Sequence, residues 1–168
     1  FSKGPAMTGF RLGYLAAPLA IAKAAGKVQS QNTTSPSQVS QYAGLAALTS
    51  GAAYTKWLKG AVAGYRKKRD FTLKRLRAMP GVSHAYEPQG AFYAFPKVEG
   101  LFGKVTPQGV TLRSSADVCI YLMEQSLVAL MPGEAFGDGR CIRISYAESL
   151  ETLGTAFDRM DEGIKALK

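Results

Sequence analysis

Two cations stand eight residues apart in the run Phe1–Tyr14, Lys3 and Arg11. A lysine amine can condense with an aldehyde to form an imine. An arginine carries a permanent, forked cation that binds a phosphate through two parallel hydrogen bonds. A ligand with an aldehyde at one end and a phosphate at the other needs both. Taken singly, a lysine in such a place is more often solvated, and an arginine beside apolar residues more often snorkels or makes a surface pair. It is the joint pattern, with small and turn-forming residues between them, that points to chemistry.

The elements around this pair must position it. Gly4, Pro5 and Gly9 break the backbone. Phe10, Leu12 and Tyr14 then alternate with Arg11 and Gly13, and the apolar run continues to Pro18. The alternation predicts a loop feeding a half-buried strand, with Arg11 on the face opposite Phe10 and Leu12. A helix follows over Ala20 to Gln29. Ser35 as N-cap and Pro36 in the first turn open a second, with Val39, Tyr42, Ala43, Ala46 and Ala47 as its stripe and Gly51 at its end. A long helix from Ala53 to Met79 stops at Pro80-Gly81.

Strands are predicted over Val82 to Tyr86 and Ala91 to Phe95, around Pro88-Gln-Gly90. Ser115 caps a helix over Ala116 to Gln125, with Asp117 in its first turn. Leu127 to Leu130 and Cys141 to Tyr146 read as short strands. Ser149 caps a last helix whose inward stripe is Leu150, Leu153, Phe157, Met160 and Ile164. Residues 1–52 read as the end of one domain. Residues 53–168 read as a joining helix and a second domain, an α+β unit of strands covered by helices.

The chain of 168 residues is 46% hydrophobic, enough for a sizeable core. It has no apolar run of transmembrane length and no basic-then-apolar secretory start, so no membrane partner is expected. The net charge of +9 suits either nucleic acid or anionic small molecules. The basic residues gather between Lys56 and Arg77 alongside Trp57, Leu58, Val62, Tyr65, Leu73 and Leu76 at helical spacing. A helix with a basic solvent face is the simpler account, and no zinc-ligand or aromatic RNA-binding pattern accompanies it. Cys119 and Cys141 form no CxxC pair and read as reduced, buried thiols of a cytoplasmic protein. The single histidine, His84, reads as structural or solvated, in a strand near a turn. No metal site is expected.

At Ser2-Lys-Gly-Pro-Ala-Met-Thr-Gly-Phe-Arg-Leu-Gly13 the chain resembles the class I/II aminotransferases, enzymes of fold type I that use pyridoxal 5'-phosphate. Their lysine signature asks for a small residue before the lysine, a small and an apolar residue after two free positions, a further small residue, then Arg, an apolar and a small residue. Ser2, Ala6, Met7, Gly9, Arg11, Leu12 and Gly13 meet it. Further segments match in order. Ser30 to Leu48 is similar to the segment that follows in aspartate-type members, and Tyr65 to Phe71 to part of the interdomain helix. Pro88-Gln-Gly-Ala-Phe-Tyr93 resembles the small-domain strand. Met131-Pro-Gly-Glu-Ala-Phe-Gly137 with Ile142-Arg-Ile-Ser-Tyr-Ala147 resembles the closing motif.

The resemblance implies an α/β transferase of fold type I. Residues 1–52 would be the C-terminal part of the large, cofactor-binding domain. Residues 53–168 would be the small C-terminal domain with the long interdomain helix. It implies transamination between an amino acid and a 2-oxo acid, aspartate-type, with Lys3 as the Schiff-base lysine. Arg11 would neutralise the cofactor phosphate and Ser2 would hydrogen-bond to it. Arg143 would bind the substrate α-carboxylate. Phe92 would wall the pocket, or else belong to the core. It further implies a homodimer, and a chain that is a piece of a longer protein, with the remaining cofactor ligands upstream and negligible turnover by this piece alone. Three alternatives stay open: a lyase or synthase of the same fold, an aminotransferase-like domain of a transcriptional regulator, and a nucleic-acid-binding role for the basic helix.

Overall fold

A computed structural model of the chain describes residues 1–83 and 87–168. The chain divides into two units, Phe1–Val62 and Ala63–Lys168. The first is helical. α1 spans Leu19–Asn32 and α2 spans Gln38–Thr49; α3, Gly51–Ala78, begins in this unit, and the division falls inside it.

The strand expected after Gly9 is absent. Thr8–Phe10 is a single 3₁₀ turn closed by Arg11 in the left-handed region (φ 49°), and residues 12–17 have no regular structure. A strand needs a neighbouring strand to complete its backbone hydrogen bonds, and among the described residues none pairs with this segment; the Phe1 amine donates to the Leu12 carbonyl, at 3.2 Å. What holds it is α2. The buried Ser40 hydroxyl donates to the Phe10 carbonyl at 2.7 Å. One turn on, Gly44 lets the Leu12 side chain close in: a Cβ there would stand 2.5 Å from Leu12 Cδ2. The face of α2 that packs is thus Ser40 and Gly44. Val39 and Tyr42, two of the expected stripe, are exposed. The helix itself begins later than its Ser35-Pro36 signal, after Ser37.

The second unit is built on three antiparallel strands in the order β1-β3-β2, where β1 is Tyr93–Ala94, β2 is Met131–Pro132 and β3 is Ile142–Ser145. Tyr93 pairs with Ser145, and Met131 with Arg143. β1 is shorter than expected because Ala91 is left-handed at one end and Pro96 has no N–H to donate at the other. The strand expected over Leu127 to Leu130 is replaced by a helix stop. Leu127 turns left-handed and the Val128 N–H returns to the Leu122 carbonyl, so pairing starts only at Met131. Of the strand expected over Val82 to Tyr86, Ser83 bridges to Lys97; residues 84–86, with His84, lie outside the described residues.

Two helices cover the sheet, α4 (Ser115–Ser126) and α5 (Leu150–Lys165). Ser149 caps α5 by accepting from the Thr152 N–H. Leu153, Phe157, Met160 and Ile164 recur at helical spacing and are buried; Leu150, at the helix start, is exposed. They meet Val118 and Leu122 of α4, Ile142 and Ile144 of β3, and Leu76 and Met79 at the end of α3 in one apolar core. Period-two alternation along β3 sends Ile142 and Ile144 into that core and leaves Arg143 and Ser145 on the other face. No helix among the described residues is long and apolar enough to cross a membrane.

Candidate active site

In the first unit, Lys3 opens a turn in which the Ala6 N–H donates to the Lys3 carbonyl at 3.2 Å. Gly4 and Pro5 form its corner, and Ala6 is left-handed (φ 55°). Lys3 is exposed and Ser2 half-buried. Both line a hollow of about 620 Å³, with Leu12, Gly13, Tyr14 and Tyr54 among its other walls. That volume suits a small-molecule cofactor. Tyr54 faces the turn, its hydroxyl 3.5 Å from where a Cβ on Gly4 would stand.

Arg11 is exposed, and its Nη1 donates to the Thr8 carbonyl at 3.1 Å. It lines a second hollow with Gln29, Thr33, Ser35 and Ser37; Gly13 and Tyr14 border both hollows. The structure therefore sets Ser2 and Lys3 on one hollow and Arg11 on its neighbour. An amine, hydroxyls and a guanidinium around adjoining hollows are the donor set that an aldehyde-bearing phosphate ester requires, so these residues fit pyridoxal phosphate.

In the second unit, Arg143 projects from β3 between two aromatic rings. Its guanidinium carbon lies 4.5 Å from the Tyr93 ring centre and 4.1 Å from that of Phe136. Phe136 in turn meets Phe95 edge-on at 6.3 Å. Stacking holds the guanidinium plane and leaves its N–H edge for a planar anion. Among the described residues no carboxylate pairs with Arg143. Tyr93 and Phe136 come next to Arg143 because of strand register and loop shape, which no local spacing displays. Phe92 packs instead on Tyr93, with ring centres 4.5 Å apart, and on Tyr65.

Phe136 is delivered by the 3₁₀ turn Gly133–Phe136, and Gly137 (φ 90°) ends it. Gly133 admits no side chain: a Cβ would stand 2.2 Å from the Asp138 carbonyl oxygen and 2.4 Å from that of Cys141. Asp138 closes the loop with Arg140, whose side-chain hydrogen bond holds the Asp138 carboxyl well below the usual carboxylate range. Burial, and then the Glu134 charge, push the Cys119 thiol up to about 11, so it stays neutral at ordinary pH. No group of three or more His, Cys, Asp or Glu is gathered as a metal would require among the described residues.

Part of the basic run on α3 is engaged within the second unit. Lys68 donates to the Ala147 carbonyl, Arg69 pairs with Asp70 and Glu87, and Arg75 pairs with Asp158. These bonds reduce the charge open to a polyanion.

Residues 1–160 match the family model of aminotransferase class I and II. The chain is 45% identical over 168 residues to an aspartate aminotransferase of Pinus pinaster, covering 100% of itself and 34% of that protein. It is 42% identical over 168 residues to a bifunctional aspartate aminotransferase and glutamate/aspartate-prephenate aminotransferase of Petunia hybrida, covering 100% of itself and 35% of the relative. The solved aspartate aminotransferase of Rhizobium meliloti superposes with a TM-score of 0.93 at 40% identity, over 99% of this chain and 41% of that one. The chain thus spans about a third to two-fifths of these relatives, and its fold is that of the fold-type I transferases. It belongs to the class I and II aminotransferases.

Proposed function

We propose that the full-length protein transfers an amino group between an amino acid and a 2-oxo acid with pyridoxal phosphate as cofactor, and that aspartate is a substrate. One structural observation carries the reading: Arg143 is held between Tyr93 and Phe136 with no carboxylate of the described residues on it, a permanent cation left for an anion from outside. The activities for which the aspartate aminotransferases it resembles are named support the substrate class.

Pyridoxal phosphate, when bound, supplies an aldehyde for covalent attachment and an electron-withdrawing ring that takes up the electrons of a bond broken at the substrate α-carbon. The chain's own residues do the rest. Lys3 Nζ would be the attachment point; as a free amine it would take the proton from the substrate α-carbon and return it two atoms along, at the former aldehyde carbon. Arg11 holds the phosphate and Ser2 adds a hydrogen bond to it. Arg143 binds the α-carboxylate through its two parallel N–H groups, which fixes the α-carbon and leaves the rest of the substrate free to differ. The reading includes a homodimer. The exposed apolar side chains of the first unit, Tyr14, Val39, Tyr42 and Leu48 among them, support further polypeptide covering that surface.

The test is an amino-transfer assay on the full-length protein. Aspartate with 2-oxoglutarate should give glutamate, and without that oxo acid aspartate should yield no more than one equivalent of its own oxo acid per site. Release of ammonia from aspartate in the absence of any oxo acid would overturn the reading in favour of lyase chemistry.

A further inference from the structure

We infer that Ser115 and Glu134 are positioning residues for Arg143: together they latch the loop that carries Phe136 onto the start of α4 and so keep the Phe136 ring against the guanidinium. The inference rests on the reading of Arg143 as the carboxylate-binding group.

Ser115 is fully buried, and its hydroxyl has two partners outside its own helix. It donates to Glu134 Oε2 at 2.6 Å and accepts from the Gly133 N–H at 3.1 Å. The sequence suggests that Ser115 caps α4. The structure gives that task to Ser114, which accepts from the Asp117 N–H at 3.1 Å, while Asp117 accepts from the Arg113 N–H at 2.8 Å. The helix start is complete without Ser115, so its hydroxyl serves the loop.

Glu134 is an exposed residue that reaches nineteen positions back in sequence to meet a buried serine. Its carboxylate thereby sits at Ser115, the first residue of α4. That places a negative charge at the N-terminal end of α4, where the helix dipole favours one. Asp117 is the other acid there and opposes it. The hydrogen bond from Ser115 is the largest influence on Glu134 and holds its carboxyl below its ordinary value, so the latch is charged at neutral pH.

The tether is short. Only Ala135 separates Glu134 from Phe136, and all three lie in the 3₁₀ turn Gly133–Phe136. Gly133 is wedged against the Asp138 and Cys141 carbonyls, and its N–H also donates to the Cys141 carbonyl at 2.8 Å. Gly139 lies under the Glu134 side chain, where a Cβ would come within 3.3 Å of Glu134 Cγ. With one end fixed in this way, the next residues have little freedom, and Phe136 is set on Arg143. Without the latch the turn loses its hold on α4 and Arg143 keeps only Tyr93 as a stacking partner.

The test uses the full-length protein and succinate, a dicarboxylate with no amino or oxo group to react. Succinate affinity is measured by calorimetry, the Arg143 Nε–H resonance by NMR, and KM and kcat for aspartate by steady-state kinetics, for Ser115→Ala, Glu134→Ala, Glu134→Gln and Arg143→Ala. Ser115→Ala and Glu134→Ala should weaken succinate binding roughly 5-fold, the order of one lost cation–π contact. They should raise KM with kcat within about twofold, since carboxylate binding is loosened equally in the ground and transition states. The Arg143 Nε–H resonance should move as the Phe136 ring current is lost. Glu134→Gln keeps an acceptor oxygen and should stay within about twofold of the parent in succinate affinity. Glu134 is exposed, so its variants carry the test if Ser115→Ala does not fold. Wild-type succinate affinity and an unmoved resonance in Glu134→Ala, with Arg143→Ala losing succinate, would overturn the latch alone. Undiminished succinate binding in Arg143→Ala would overturn the reading of Arg143 itself.

Discussion

The guanidinium carbon of Arg143 lies 4.1 Å above the centre of the Phe136 ring, although the two residues belong to different elements, a strand and the 3₁₀ turn before it. The contact turns a flexible side chain into a fixed fork.

Replacing that fork by a point charge should therefore be costly. Arg143→Lys keeps the cation and loses the parallel pair of N–H donors. We expect KM for aspartate to rise on the order of 10-fold or more, the scale of one charged hydrogen bond. Steady-state kinetics on the full-length protein check this; an unchanged KM would mean that carboxylate recognition lies elsewhere.

Lys3 is expected to be the covalent attachment point. Treating the full-length protein with pyridoxal phosphate and then borohydride should add the cofactor's mass to the peptide that carries Lys3. Lys3→Ala should abolish both the label and the visible absorption of the cofactor-bound protein. A label on another lysine would reject the assignment.

Gly133→Ala tests the loop rather than the chemistry. Its new methyl would stand 2.2 Å from one carbonyl oxygen and 2.4 Å from another, and both belong to backbone that cannot swing aside. The expected loss is about 3 kcal/mol, at the upper end for overpacking. A urea midpoint within error of the parent would show that the loop is looser than described.

Acid should weaken the second unit. Asp138 is held low by the side-chain hydrogen bond from Arg140, Glu134 by that from Ser115, and Asp117 by the backbone N–H of Arg113. Each folded carboxyl titrates below its unfolded value near 4. The stability they contribute is therefore present above about pH 4 and lost as pH falls through the lower folded values. Urea midpoints should decline from about pH 5 downward, and Asp138→Asn should lower the neutral-pH midpoint while flattening that decline. An identical acid limb in the variant would remove Asp138 from the account.

What could be read along the chain was local or periodic. The lysine signature from Ser2 to Gly13 is contiguous, and its match to a family depends on residue order alone. The Ser149 cap and the Leu153, Phe157, Met160 and Ile164 stripe follow from helical spacing, and the two faces of β3 from alternation. The boundaries and pairings depend on partners distant in sequence. Phe10 to Tyr14 has a strand's alternation but no neighbouring strand among the described residues, so its conformation is fixed instead by Ser40 and Gly44 of α2. Tyr93 and Phe136 reach Arg143 only through register and a turn. Ser115 and its neighbour Ser114 are indistinguishable as helix caps until the Glu134 carboxylate arrives from nineteen residues away. Residue types and order are enough to name a chemistry; the geometry that tunes it comes from contacts between segments, which carry no signature in either segment alone.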